Sequence, residues 1–432
     1  MRILELTDTY PPFIGGLERH VQILSRALLA RGHQVSVATT AVPGAPAFSD
    51  EDGVAVHRIT GWSKVLSPFY SAGRPFHPTI PDPGMVRSLQ RVLERERPDV
   101  VHAHSWNLAS YLPLHTPACG RALIVTAHDY GLVCPKKTMM RAGGSLCAGP
   151  SLRACVPCAG DQYGMAKGAA LATGIALSNP LLRRVDCFTA VSRFVADRLN
   201  ATVTPLTGKQ VEVVSSFVPA GLSEAAAAAP RPEFLPADDG YVLFVGALSP
   251  AKGLPVLLDA HRRLSHRVPL VLLGTPHPDT PGDLGPDVVL RTNVPHGEVM
   301  AAMHKAAIVV APSVWPDPLP MTVSEAQLCG TPVIGARSGG IPEQIVDGVT
   351  GLIVEPGDVA GLAGAIDALL AAPEQRKAMG AAGLAHARKF EVSSVVEDVE
   401  SVFSRALAGV RAGRPTPATR PAVEARDARG RP

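Results

Sequence analysis

PSVWPDPLPMTVSEAQLCGTPVIGARSGGIPEQI, residues 312–345, is the stretch on which the reading of the whole chain turns. Its two carboxylates, Asp317 and Glu325, stand eight positions apart across a loop that enters a helix. Leu319-Pro320 breaks the chain, Thr322–Leu328 carries helix formers, and Gly330 stops the helix in the C′ position. Pro332–Ala336 follows as a short buried strand, and Ser338-Gly339-Gly340 leads through a turn into a second helix near Pro342. A helix start, a glycine pair and converging carboxylates suit a ligand that carries phosphate and hydroxyls together. Backbone amides and the helix dipole take the anion, and the carboxylates accept hydrogen bonds from the hydroxyls. The plain alternative is a helix decorated with ordinary first-turn acids. It accounts for an isolated pair but not for the whole run.

The chain has 432 residues, enough for two α/β domains of about 200 residues each. Forty-one Lys and Arg against 38 Asp and Glu leave a net charge of +3, partly carried by the last twenty residues, so no nucleic-acid partner is indicated. Met1–Leu6 runs directly into a strand, with no secretory leader expected, and no apolar run reaches the ~20 residues of a spanning helix. Seven cysteines, an odd number, suit a reducing compartment, so the expected location is the cytoplasm, with peripheral membrane contact left open.

Arg2–Thr7 reads as a strand, Tyr10–Gly16 as a loop, a helix starts near Leu17, and Gln34–Thr39 is the next strand. This βαβ unit places Gly15-Gly16 beyond the first strand, where backbone can approach an anion or an acceptor. Val54–Ile59, Asp99–His102, Leu123–Ala127, Asp186–Val191 and Val211–Val214 are further strands. His104 follows one of them and His128-Asp129 another; each histidine is a candidate ligand contact or a satisfied loop residue. Residues 219–240, with an alanine run and four prolines, read as a linker, with a short helix at Ser223–Ala229 as the alternative or within it. Tyr241–Val245 then starts a second array, with strands at Leu270–Gly274, Val288–Leu290, Ile308–Pro312 and Val333–Ala336. Lys252-Gly253 lies beyond its first strand.

These features resemble the family-four retaining glycosyltransferases of the GT-B fold. The donor segment of that family has Glu, seven residues, Glu; Glu325 matches the second acid, and Asp317, one methylene shorter, stands at the first. PPFIGGLERH (11–20), followed by L-x-R-G-H-x-V, matches the family's N-terminal signature, and the likeness extends over about residues 1–408. It implies two Rossmann-like α/β domains facing each other across a cleft, 1–218 for the acceptor and 241–390 for a nucleotide-diphosphate sugar. It also implies a helix, 391–410, that crosses back to the first domain. The acceptor would be a glycan, lipid or small molecule, and no cofactor is required for catalysis. By this resemblance His128 and Asp317 hold the transferring sugar, Glu325 the ribose, and Lys252 the diphosphate. Gly15, Gly16, Ser338, Gly339 and Gly340 line the donor. The family's clamp also has an arginine where this chain has Ala247, so one positive charge is missing and Arg291 or Arg337 are candidate substitutes.

Cys134, Cys147, Cys155 and Cys158 fall in a Gly/Pro-rich insert, 134–160, with little periodicity. The tight Cys155-x-x-Cys158 pair with the other two thiols is compatible with a structural zinc site; free thiols or a labile disulfide fit as well. Cys119, Cys187 and Cys329 read as core residues. The tail, 411–432, lacks large apolar residues and is expected to be disordered. Two other functions share the cleft: a nucleotide-sugar epimerase with paired carboxylates as acid and base, and a donor-binding partner subunit without catalysis.

Overall fold

In the computed structural model, residues 1–13, 15–63, 77–141, 144–237 and 240–413 are described; the tail beyond 413 lies outside them. Among the described residues the first half builds eight strands: β1 (Arg2–Thr7), β2 (Gln34–Thr40), β3 (Phe48–Glu51), β4 (Val54–Ile59), β5 (Val100–Ala103), β6 (Ala122–Ala127), β7 (Cys187–Ala190) and β8 (Val211–Val213). Their order is β3-β4-β2-β1-β5-β6-β7-β8, parallel except for β3. β3 was not visible in the sequence, since PheSerAspGlu is polar and lies at the sheet's edge.

The second half builds β9 (Val242–Val245), β10 (Leu270–Leu273), β11 (Val288–Arg291), β12 (Ile308–Ala311), β13 (Val333–Ala336) and β14 (Gly351–Val354) in the order β11-β10-β9-β12-β13-β14, all parallel. The inner strands are continuous apolar runs because helices cover both faces of each sheet. Chain direction across each sheet reverses once, between β1 and β5 and between β9 and β12. Loops leaving those strands diverge and open a crevice, the usual ligand position in such sheets. Gly15, His104, Lys252 and Asp317 all lie on loops or helix starts beyond these four strands.

Two segments differ from expectation. The linker is packed: Leu222 and Ala226, on the helix Leu222–Ala228, and Leu235 join the second half's core. The cysteine insert is partly helical, since Ser151 caps a helix over Leu152–Tyr163 that carries Cys155 and Cys158. The short side chains and the proline of that stretch had hidden its periodicity.

The last helix, Val392–Arg411, leaves the second half and packs against the helix Gly16–Ala30 and β6 of the first. Its Val395, Val396, Val399, Phe403 and Leu407 share one apolar cluster with Val21, Leu24 and Leu28, as helical spacing on one face of each helix dictates. The two segments that cross between halves run side by side, with the Val218 amide donating to the Phe390 carbonyl at 2.9 Å and the Val392 amide to the Val218 carbonyl at 2.9 Å. Among the described residues no helix is long and apolar enough to cross a membrane.

Candidate active site

The loop from Pro312 to Pro320 carries the site from the second half. Lys252 Nζ lies 2.5 Å from Asp317 Oδ2, and the Ser313 hydroxyl donates to the same oxygen at 3.1 Å. Asp317 is buried, so its charge is neutralised by an ammonium that is still partly exposed. The Lys252 ammonium also sits 5.5 Å over the Trp315 ring, which fixes its direction.

Glu325, on the helix Met321–Leu328, is likewise buried. Its Oε1 is 3.1 Å from His296 Nε2 and 3.7 Å from Arg19 Nη1. Arg19 belongs to the first turn of the helix behind Gly15-Gly16, so this ion pair spans the two halves. Sequence reasoning missed both partners; Arg19 lay inside the quoted PPFIGGLERH signature without being assigned. The cations considered there are engaged elsewhere. Arg337 pairs with Glu355 at 2.7 Å, and Arg291 donates to its neighbour's carbonyl and lies over Phe234.

The glycine pair acts by close approach. A Cβ on Gly339, where φ is +59°, would stand 2.0 Å from the Asp317 carbonyl, and one on Gly340 2.1 Å from the Pro318 carbonyl. These glycines therefore press the Asp317 loop against the turn after β13. The Gly340 amide donates to the Asp317 carbonyl at 2.8 Å and the Ser338 hydroxyl to the Trp315 carbonyl at 2.6 Å, so neither group is free for an anion. The helix that follows, Ile341–Gln344, has only four residues and a correspondingly small dipole. At Gly16, by contrast, a Cβ would meet nothing within 4 Å, and Gly15 is the N-cap of a fifteen-residue helix.

Three further contacts join the halves around this loop. The Tyr130 hydroxyl donates to the Pro316 carbonyl at 2.8 Å. Glu343 accepts from the Arg193 and Phe194 amides at 2.8 Å each, capping a first-half helix from the second half. Leu319 is buried in the first half's core. Burial, then the Asp317 charge, pushes the Tyr130 phenol up.

His128, directly after β6, is the outermost member of a buried imidazole cluster. Glu5 Oε2 on β1 lies 2.6 Å from His104 Nε2 and 2.9 Å from His102 Nδ1, and His104 Nδ1 lies 2.8 Å from His128 Nε2. His20 packs edge-on against His128 with ring centres 4.5 Å apart, its Nδ1 3.3 Å from the Ser216 hydroxyl. Burial alone would raise the Glu5 carboxyl, but His102 and His104 outweigh it and hold it at about 2. Burial, then His102, holds His104 down to about 4 against its bond to Glu5. Burial and the neighbouring rings keep His20 and His128 well below the ordinary imidazole range. His104 is therefore enclosed beneath His128. The clue available in the sequence was Glu5, a carboxylate inside an otherwise apolar strand.

The four insert cysteines are half-buried neighbours. Burial raises the Cys155 thiol, and Cys134, Cys147 and Cys158 add to this against a bond to Ser151. Cys147 donates to the Gly149 carbonyl at 3.3 Å and Cys158 to the Met140 carbonyl at 3.8 Å. Among the described residues, the groups of three ligand atoms lying within 4.8 Å of one another involve only Glu5 and the histidines. Cys187 and Cys329 are buried, as expected. Cys119 is not a core residue: its Sγ is 3.6 Å from His115 Nδ1, and although burial would raise the thiol, His115 and Arg121 bring it down to about 6.

The sequence matches the family described as Glycosyltransferase Family 4 over residues 14–221 and Glycosyl transferases group 1 over residues 227–386. It is 30% identical to glycogen synthase of Mycobacterium tuberculosis, over 96% of this chain and 97% of that protein. It is 29% identical to D-inositol 3-phosphate glycosyltransferase of Mycolicibacterium smegmatis, over 94% and 90%. Among solved structures, sucrose-phosphate synthase from Thermosynechococcus elongatus superposes with a TM-score of 0.71 at 20% identity, covering 95% of this chain and all of that one. Anabaena HepE, solved in complex with UDP-glucose, gives 0.63 at 18%, covering 93% and 99%.

Proposed function

Since the chain belongs to the family-four, group 1 glycosyltransferases, we propose that it moves a sugar from a nucleoside-diphosphate sugar to an acceptor hydroxyl with retention of anomeric configuration. The second half takes the donor, and the first half takes a glycan, lipid or small-molecule acceptor. The observation that carries this reading is the Lys252–Asp317 pair beyond the β9/β12 crevice, on a loop that Tyr130 stitches to the segment following β6, where His128 stands, with buried Glu325 on the helix that the loop enters.

The barrier in such a transfer lies in parting an oxocarbenium-like sugar from its diphosphate. A preorganised ammonium beside the leaving oxygens lowers that barrier, because charge develops there only as the bond breaks. Lys252 is the group for this, once the incoming diphosphate has drawn it from Asp317. Asp317, released, accepts from sugar hydroxyls, Glu325 accepts from the ribose, and the departing phosphate takes the acceptor's proton on the same face.

A panel of nucleotide sugars screened by thermal shift identifies the donor. The anomeric configuration of the product, read by proton NMR, then tests retention. Absence of any shift across the panel together with absence of transfer would sink the proposal; an inverted product would sink its stereochemical part.

A further inference from the structure

We propose that Glu5 and His104 are positioning residues that lock His128 into its Nε2–H tautomer, so that the ring offers the cleft an unprotonated Nδ1 and binds only a group that donates a hydrogen. The argument is one of proton counting along three side chains. A carboxylate has no proton to give, so His104 Nε2, 2.6 Å from Glu5 Oε2, must be the donor. A neutral imidazole has a single N–H, which leaves His104 Nδ1 with a lone pair. That lone pair lies 2.8 Å from His128 Nε2, which must therefore carry its own ring's proton. His128 Nδ1 is left as an acceptor, and it has no protein partner among the described residues.

The order of donors would reverse only if His104 held both protons. Enclosure beneath His128, with His102 and His20 as further rings alongside, opposes that charge, and its pKa of about 4 keeps it neutral at physiological pH. The second ring on the same carboxylate is anchored too, since His102 Nε2 lies 2.6 Å from the Thr126 hydroxyl, which pairs with Thr189 at 2.6 Å. His102 Nδ1 stands 2.9 Å from the same oxygen without bonding to it, so the hydrogen bond that fixes Glu5 is the one from His104.

What fills the cleft rests on the glycosyl-transfer reading: the partner of Nδ1 is then a free hydroxyl of the donor sugar, acting as hydrogen-bond donor. A sugar with hydrogen or fluorine at that carbon would lose the bond, because neither substituent can donate. The tautomer itself does not depend on that reading.

The test uses the full chain labelled with 15N-histidine, in long-range proton–nitrogen correlation spectra at pH 7.5, with His128 assigned by its loss in His128→Ala. The expected pattern is a neutral Nε2–H ring. Glu5→Gln, whose amide can either donate or accept, should convert His128 to a mixture of tautomers, whereas Glu5→Asp should keep the single form. An Nδ1–H, doubly protonated or metal-bound His128 in the natural protein overturns the proposal. So does an unchanged tautomer in a folded Glu5→Gln chain; should that variant not fold, the natural protein's spectrum decides alone. Calorimetry with a nucleotide sugar tests the transferase reading separately, so a failure of one is not mistaken for a failure of the other.

Discussion

Lys252 Nζ and Asp317 Oδ2 are 2.5 Å apart, so the cation suited to a diphosphate is already held by the acid suited to the sugar. On the proposed reading, donor binding parts them. Lys252 is partly exposed, so the pair is worth about 1 kcal/mol, or fivefold in affinity. Asp317→Asn should therefore bind the free nucleoside diphosphate about fivefold more tightly while sugar transfer falls at least tenfold. Calorimetry alongside a product assay checks both, and weaker diphosphate binding in the variant would reject the exchange.

Ala247 is exposed where the resemblance calls for a second cation. Ala247→Arg should raise affinity for the nucleotide sugar by roughly tenfold, the order of one charge-assisted contact to phosphate, with little change in melting temperature. The measurement is a donor titration at two salt concentrations, and the gain should shrink at the higher one. A variant indistinguishable from the natural protein would show that position 247 does not reach the diphosphate.

Glu325→Ala should weaken donor binding far more than it alters thermal stability. Removing the buried carboxylate also frees His296 and Arg19, so no opposite charge is left enclosed. Equal donor affinity in the variant would remove Glu325 from the site.

The imidazole cluster makes stability depend on pH in a stated direction. His20, His104 and His128 have folded pKa values below the unfolded 6.5, so the unfolded chain binds more protons as pH falls from 6.5 toward 4. Stability is present above that window and lost on descending through it, by about 1.4 kcal/mol per pH unit for each ring. Glu5 extends the loss between 4.5 and about 2. His115 runs the other way, since Asp186 and Cys119 overcome its burial and raise it. Melting temperature should fall by several degrees between pH 7.5 and 5.5; a flat profile would contradict the enclosed, neutral rings.

For the insert we expect less than half a zinc per chain in protein purified without chelator, and no effect of chelation on the melting temperature, because among the described residues no three of its thiols stand within ligand distance; about one zinc would overturn this. Closing a tetrahedron requires the Cys147 and Cys158 thiols to leave their carbonyl acceptors.

The two parallel sheets were legible because apolar strands alternate with glycine loops and amphipathic helices, and most strand limits fall within a residue of those read from the sequence. Asp317, Glu325, Lys252 and His128 were legible through short local patterns. Their partners were not. Arg19, His296 and Glu5 reach the site from distant positions, and a one-dimensional pattern does not report which loops a switch point brings together. The glycine pair was visible as a turn, but its role in seating the Asp317 loop depends on backbone contacts that span more than twenty residues.

The helix Val392–Arg411 closes a core begun almost four hundred residues earlier. During synthesis, then, the portion made first is finished last: Val21, Leu24 and Leu28 emerge from the ribosome with their lid still unwritten. A message truncated before residue 392 would yield a product with a bare greasy strip, fit for chaperones or proteases rather than for use as an isolated acceptor module.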